Sequence, residues 1–137
     1  MKILFVCLGN YCRSPIAHAI AKHIFPNWTI DSCALSHCHE GEQMHINSRK
    51  ILKKHEMFYD VISKHISKVN IKNFDLVLCM DFSNYVKLNG LGIKCEYVTF
   101  LKDNSEVEDP YGENVEFYEQ TYKKIYNSIL ELKNYKN

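Results

Sequence analysis

The ten residues Val6 to Pro15, V-C-L-G-N-Y-C-R-S-P, constrain this chain more than any other stretch. They follow a continuous apolar run, Ile3-Leu4-Phe5-Val6, of the kind seen in a strand buried on both faces of a parallel sheet. They lead into Ser14-Pro15, a favoured helix start with proline at the first helical position. Ile16, Ala17, Ile20, Ala21 and Ile24 then recur at helical spacing until Pro26 stops them. A buried strand that passes through a glycine-bearing loop into a helix is the first half of a βα unit, which sets the class of fold.

The rest of the chain repeats the alternation. Trp28 to Ala34 reads as a second strand, and Asn47 is placed to cap a lysine-rich helix through about His55, with Ile51 and Leu52 as its apolar contribution. Phe74 to Met80 is another buried-strand run, and Asp81 opens a helix through about Leu88 that Gly90 and Gly92 break. Cys95 to Leu101 reads as the fourth strand. Asn114 caps a last helix whose core stripe is Tyr118, Tyr122, Ile125, Ile129 and Leu132. No repeats, low-complexity segments or linkers interrupt the 137 residues, which suit one domain over 1–137. The expected fold is α/β: a single small doubly wound domain with a four-stranded parallel sheet in order 2-1-3-4 and helices on both faces. Ligands in such folds bind where strand carboxyl ends meet helix amino ends, the place that residues 6–15 occupy.

A strand-to-helix loop there turns backbone N–H groups toward one point, and the helix dipole favours an anion. Gly9 and Asn10 are residue types that tolerate the left-handed backbone of such a nest. Arg13, one of only two arginines against a lysine background, adds a planar fork for two oxygens of a tetrahedral oxyanion. Phosphate is the expected anion. Cys7, at the loop entry, lies six residues before Arg13, and surroundings that hold phosphate also favour a thiolate. A thiolate beneath a bound phosphoryl group attacks phosphorus in line and forms a phosphocysteine; Ser14 is placed to donate to the sulfur as it leaves. A bare C-x5-R arises by chance in roughly one such chain in ten, but its context makes it specific. The bland alternative makes Cys7 a small buried residue ending a strand.

Expelling an alkoxide or phenolate needs a proton donor. The polar loop before the last helix offers Asp103, Glu106, Glu108 and Asp109, and Asp109-Pro110-Tyr111-Gly112 stands out because proline stiffens the backbone beside the acid. Tyr111 is suited to wall a cleft for an aromatic leaving group. By composition alone the loop also reads as a solvated turn.

The net charge of +1 carries no footprint of nucleic-acid or membrane binding, so neither is an expected partner. The opening M-K-I-L-F-V-C-L has too short an apolar run for a signal peptide and no small-residue cleavage site after it. A cytoplasmic location is therefore expected, with the six cysteines (7, 12, 33, 38, 79 and 95) as thiols.

Cys7-Leu8-Gly9-Asn10-Tyr11-Cys12-Arg13-Ser14-Pro15-Ile16-Ala17-His18-Ala19 resembles the first motif of the low-molecular-weight protein tyrosine phosphatases. The resemblance extends through Trp28, Asp31-Ser32, Met80-Asp81, Ser83-Asn84 and Asp109-Pro110-Tyr111. It implies a two-step, metal-free and cofactor-free hydrolysis of phosphotyrosine and aryl phosphate monoesters. Cys7 would be the nucleophile, Arg13 the phosphate clamp and Asp109 the acid, then the base for the hydrolytic water. Leu8, Gly9, Asn10, Tyr11, Cys12 and Arg13 would hold the phosphate, with Asn10, Ser14 and Ser32 bracing the loop. Tyr11, Cys38, His39 and Tyr111 would border the substrate slot. Cys12 would form a reversible disulfide with the nucleophile and guard it against overoxidation. The implied partners are phosphotyrosine-containing proteins, the inhibitors phosphate, vanadate and similar oxyanions, and the chain a monomer or weakly self-associating. Three positions depart from the family pattern: Val61 stands where a histidine is usual, and whether His65, four residues on, compensates is open at this point; Gly112 follows Asp109-Pro110-Tyr111; and Tyr11 is bulkier than the common aliphatic.

Four rivals weigh less. A thioredoxin-coupled arsenate reductase needs a shuttle pair, and Cys79 and Cys95 stand far apart in expected strands. Arginine phosphatases carry a small polar residue where Tyr11 stands. A metal module would rest on Cys33 and His37-Cys38-His39, whose adjacent residues do not converge on a tetrahedral centre. An inactive phosphate-binding module does not require Cys7, Arg13 and Asp109 together. His18, His23, His45 and His55 read as surface or helix-face residues.

Overall fold

The computed structural model describes residues 1–135. Four parallel strands, β1 (Lys2–Cys7), β2 (Thr29–Ala34), β3 (Leu76–Cys79) and β4 (Glu96–Tyr97), form one sheet in order β2-β1-β3-β4. Four α-helices, α1 (Arg13–Ile24), α2 (Ile46–Lys54), α3 (Phe82–Gly90) and α4 (Val115–Leu130), connect and cover it. The expected strand order and layering hold.

Period-two alternation in β1 divides the core. Ile3, Phe5 and Cys7 join the larger apolar cluster, with Ile16 and Ile20 of α1, Ile51 and Leu52 of α2, Tyr118, Tyr122, Ile125 and Ile129 of α4, and Leu132 in the 3-10 turn that follows it. Leu4 and Val6 join a smaller cluster with Leu88 of α3. All five expected stripe residues, Tyr118, Tyr122, Ile125, Ile129 and Leu132, are buried.

Several boundaries differ from the sequence expectation, each for a local reason. The fourth strand spans only Glu96–Tyr97, not Cys95 to Leu101, because Phe100 N–H turns back to the Tyr97 carbonyl and the chain leaves the sheet. β2 begins at Thr29 rather than Trp28, whose ring stacks on Phe25 at 3.8 Å. β3 covers Leu76–Cys79 rather than Phe74 to Met80. Helix α2 is capped by His45, not Asn47: His45 Nδ1 accepts from Asn47 N–H at 3.0 Å. Gly90 is the last residue of α3, and the turn is taken by Gly92 at φ 76°, a conformation glycine adopts without a Cβ clash. Asp81 and Asn114 cap α3 and α4 as expected, each accepting an N–H three residues on.

Candidate active site

The loop between β1 and α1 closes at the carboxyl edge of the sheet. Asn10 adopts φ 49°, the left-handed conformation expected of a nest, and is fully buried. Gly9 does not share it; a Cβ there would lie 3.0 Å from His39 Cδ2, so close approach selects glycine. Helix α1 has no side-chain cap at Cys12, which leaves its first amides for an anion. Among the described residues none of the amides from Gly9 to Cys12 donates to another backbone carbonyl.

Behind the loop, side chains brace it in sequence. Cys7 Sγ lies 3.1 Å from Ser14 Oγ. Asn10 Nδ2 donates to Ser14 Oγ at 2.7 Å and to Ser32 Oγ at 3.0 Å, while Lys64 N–H donates to Asn10 Oδ1 at 3.1 Å. Ser63 Oγ donates to the Gly9 carbonyl at 2.9 Å, and Ser48 Oγ to that of Cys12 at 3.0 Å. The three expected brace residues are thus together and buried.

Arg13 is 2% exposed. Its Nη1 donates to Asp81 Oδ2 at 2.8 Å and to the Val107 carbonyl at 2.7 Å, and Nη2 stands 3.8 Å from Asp109 Oδ2. Burial alone lowers the guanidinium pKa, but the neighbouring Cys7, Asp81 and Asp109 more than offset it, and the net direction is upward. Nε, alone among the buried side-chain nitrogens and oxygens of the described residues, has no partner. A buried donor left without an acceptor costs free energy, about 1–3 kcal/mol, which an anion within hydrogen-bond reach of it would relieve.

Cys7, Leu8, Gly9, Tyr11, Cys12, Arg13, Cys38, His39, Asp109 and Tyr111 line one pocket of about 190 Å³, together with Ser36, which sequence reasoning missed. Every expected catalytic and rim residue is therefore at one place, whereas Asn10, Ser14 and Ser32 stand behind its wall. Asp109 is half-exposed and its Oδ1 accepts from Tyr111 N–H at 3.1 Å. Tyr11 stacks on His39 at 3.7 Å and 5°, and Tyr111, 61% exposed, tilts toward both at 6.3 and 6.2 Å. Cys12 Sγ meets Tyr118 Oη at 3.4 Å, and burial pushes its thiol up to about 12.

Of the four histidines read as surface or helix-face residues, only His23 is exposed; His18 lies in α1 and His45 and His55 cap the two ends of α2. His18 is 7% exposed with Nδ1 2.7 Å from Ser32 Oγ, and burial lowers its pKa to about 4. His45 caps α2 and touches Tyr11, Tyr111 and Tyr118. His55 meets Glu119 at 2.7 Å. Only His23 is a surface group, beside the Phe58 carbonyl. Val61 is buried, and His65 does not replace the missing histidine: it caps a 3-10 turn at Ile66–Lys68 and stacks on His37. Asp81, singled out only as a helix start and motif residue, also holds Arg13. Cys79 and Cys95, far apart in sequence, lie side by side in the smaller apolar cluster. Among the described residues no three His, Cys, Asp or Glu side chains are grouped to hold a metal, and no helix is long and apolar enough to cross a membrane.

A strand-to-helix loop with free amides that carries a cysteine and an arginine, with an aspartate lining the same pocket, has the chemistry of an anion-handling site, and comparison with known proteins resolves the family. The family model described as low molecular weight phosphotyrosine protein phosphatase matches residues 2–135. The chain belongs to this family. The low molecular weight protein-tyrosine-phosphatase PtpB of Staphylococcus aureus is 33% identical over 97% of both chains. A protein tyrosine phosphatase from Entamoeba histolytica, solved with Hepes in its active site, superposes with TM-score 0.88 at 30% identity, covering 98% of this chain and 95% of that one. The Drosophila arginine phosphatase DARP superposes with TM-score 0.91 at 29% identity, over 100% and 99% of the two chains.

Proposed function

We propose that this chain, acting as one phosphatase domain over residues 1–137, hydrolyses phosphotyrosine and aryl phosphate monoesters through a phosphocysteine intermediate, without metal. One observation carries the reading: Cys7, whose Sγ is backed by Ser14 Oγ, Arg13, whose Nε has no partner, and Asp109 line one pocket.

The steps follow from these positions. The loop amides and Arg13 receive the phosphate oxygens. The Cys7 thiolate attacks phosphorus; the ester P–O bond breaks, and the departing oxygen takes a proton from Asp109. Asp109, now a carboxylate, accepts a proton from water, whose oxygen attacks phosphorus. The P–S bond then breaks, and the sulfur returns as a thiolate that accepts the Ser14 hydroxyl proton in a hydrogen bond. Tyr11 and Tyr111 suit an aryl ring at the mouth.

Cys12 is proposed as the guard of Cys7. A hydroperoxide converts the Cys7 thiolate to a sulfenic acid; the Cys12 thiol attacks its sulfur, expelling water and forming the Cys7–Cys12 disulfide, which thiols reduce. Burial holds Cys12 protonated until then. The six cysteines, all free, suit a reducing cytoplasm. Partners are phosphotyrosine-containing proteins, with no nucleic acid or membrane, and phosphate and vanadate compete for the loop; the chain is a monomer or weakly self-associating.

The test is hydrolysis of para-nitrophenyl phosphate with EDTA present, comparing parent, Cys7→Ser and Asp109→Ala, with phosphotyrosine, phosphoserine and phosphoarginine peptides in parallel. Turnover of the aryl substrates that vanishes in Cys7→Ser is expected. Activity surviving in Cys7→Ser removes the nucleophile, and a preference for phosphoarginine overturns the substrate class.

A further inference from the structure

The brace behind the loop has a direction, and its far end is a residue that the reaction does not touch. Asn10 Oδ1 accepts from Lys64 N–H, which fixes the amide so that Nδ2 faces the two serines. Its two protons go to Ser14 Oγ and Ser32 Oγ. Ser14, already an acceptor, has its own proton left for Cys7 Sγ at 3.1 Å. Ser32, likewise an acceptor, has its proton left for the other atom within reach, His18 Nδ1 at 2.7 Å. The run Cys7–Ser14–Asn10–Ser32–His18 is fully satisfied only when His18 is neutral with its proton on Nε2.

We infer that His18, on the first helix, is a positioning residue for the Cys7 loop: by accepting the Ser32 proton at Nδ1 it polarises the chain of hydrogen bonds that ends in Ser14 donating to Cys7. The inference rests on the reading of Cys7 as nucleophile. Without an acceptor at position 18, Ser32 turns its proton toward Asn10, opposes the Asn10 amide and loosens the loop asparagine whose φ is 49°. Buried networks of this kind couple their members, so the effect reaches Cys7 without a contact to substrate.

Burial lowers the His18 pKa, Lys22 and Lys64 lower it further, and Asp31 opposes them. Tyr59 stacks on the ring at 5.6 Å, and Asp60 shares the same surface hollow. Through the neutral range His18 therefore keeps the acceptor that the chain requires.

The experiment compares parent, His18→Asn, His18→Leu, Ser32→Ala and the double variant His18→Leu/Ser32→Ala. Asparagine places Oδ1 where histidine has Nδ1; leucine fills the space without an acceptor. Two readouts are taken: kcat and KM for para-nitrophenyl phosphate, and the pH profile of Cys7 carboxymethylation by iodoacetate, located by mass spectrometry. His18→Leu is expected to lower kcat about tenfold with KM changed less than about twofold, and to move the alkylation midpoint upward. His18→Asn stays within about threefold of parent, and His18→Leu adds less than about twofold in the Ser32→Ala background, because both act through one chain. Parent-like kinetics and alkylation in His18→Leu overturn the inference, as do losses that multiply in the double variant or equal losses in His18→Asn and His18→Leu. A parent without turnover overturns the phosphatase reading instead, and the alkylation profile still decides the role of His18.

Discussion

The two ends of the pocket are built differently. On the cysteine side, Asn10 and Ser14 are fully buried and Arg13 is nearly so, and among the described residues every buried side-chain nitrogen or oxygen but Arg13 Nε has a hydrogen-bond partner. On the acid side, Asp109 is half-exposed and Tyr111 mostly so; a two-residue turn and a 3.8 Å approach to Arg13 hold the carboxylate. One end is a buried, braced cradle, the phosphate receptor of the proposed function; the other is an exposed rim. Preorganised charge gives the large part of such catalysis, so damage to the receptor should cost more than damage to the rim.

The largest effect tests the receptor directly. If Arg13 is the transition-state clamp of the proposed function, Arg13→Ala should lower kcat/KM for para-nitrophenyl phosphate by about 10³-fold or more. Steady-state kinetics at several phosphate concentrations check it, and the competitive inhibition by phosphate should weaken in parallel.

Asp109→Ala comes next and depends on the leaving group. With phenyl phosphate, which needs its oxygen protonated, the expected loss in kcat is about 10²-fold; with para-nitrophenyl phosphate, a better leaving group, it is smaller. A series of aryl phosphates of graded phenol pKa reads this out, and a uniform loss would place Asp109 in the receptor rather than at the rim.

Asp81→Asn separates the two functions of that residue. Asparagine still caps the third helix, as Asp81 now does for Asn84 N–H at 2.9 Å, but the charged partner of Arg13 is gone. A fall of about tenfold in kcat, with a small change in thermal midpoint, is expected from loosening a charge-assisted hydrogen bond.

The brace also predicts a pH dependence of stability. His18 has an unfolded value of 6.5 and a folded one of about 4, so between those values the unfolded chain binds more protons. Its contribution is present above pH 6.5 and is lost as pH falls toward about 4. The urea midpoint should fall from pH 7 to pH 5 by more in the parent than in His18→Asn, which has nothing there to titrate. Tyr111→Ala should have the smallest effect, a rise of a few-fold in KM for aryl substrates and stability within about 0.5 kcal/mol, because the ring is exposed.

Much of the site was legible in the sequence because its parts lie close along the chain. Cys7, Asn10, Arg13 and Ser14 fall within eight consecutive positions between a buried strand and a helix. The geometry of a strand-loop-helix unit then dictates that their amides and side chains converge. The core stripe of the last helix was equally legible, being a matter of period. The burial of His18 was not legible because its partner, Ser32, stands on another element. Strand four was overextended because an apolar run does not say where a neighbouring strand stops offering partners.

The sequence by itself determined the βα alternation, the loop between the first strand and the first helix and the chemical types within it, since these follow from local order and periodicity. Only the tertiary structure decided which group satisfies which. Asp81 and the Val107 carbonyl reach Arg13 from 68 and 94 residues away, and Lys64 N–H reaches Asn10 from 54. A buried polar atom takes whatever partner packing brings within 3 Å, and that choice is made by the assembled core, not by the neighbouring residues.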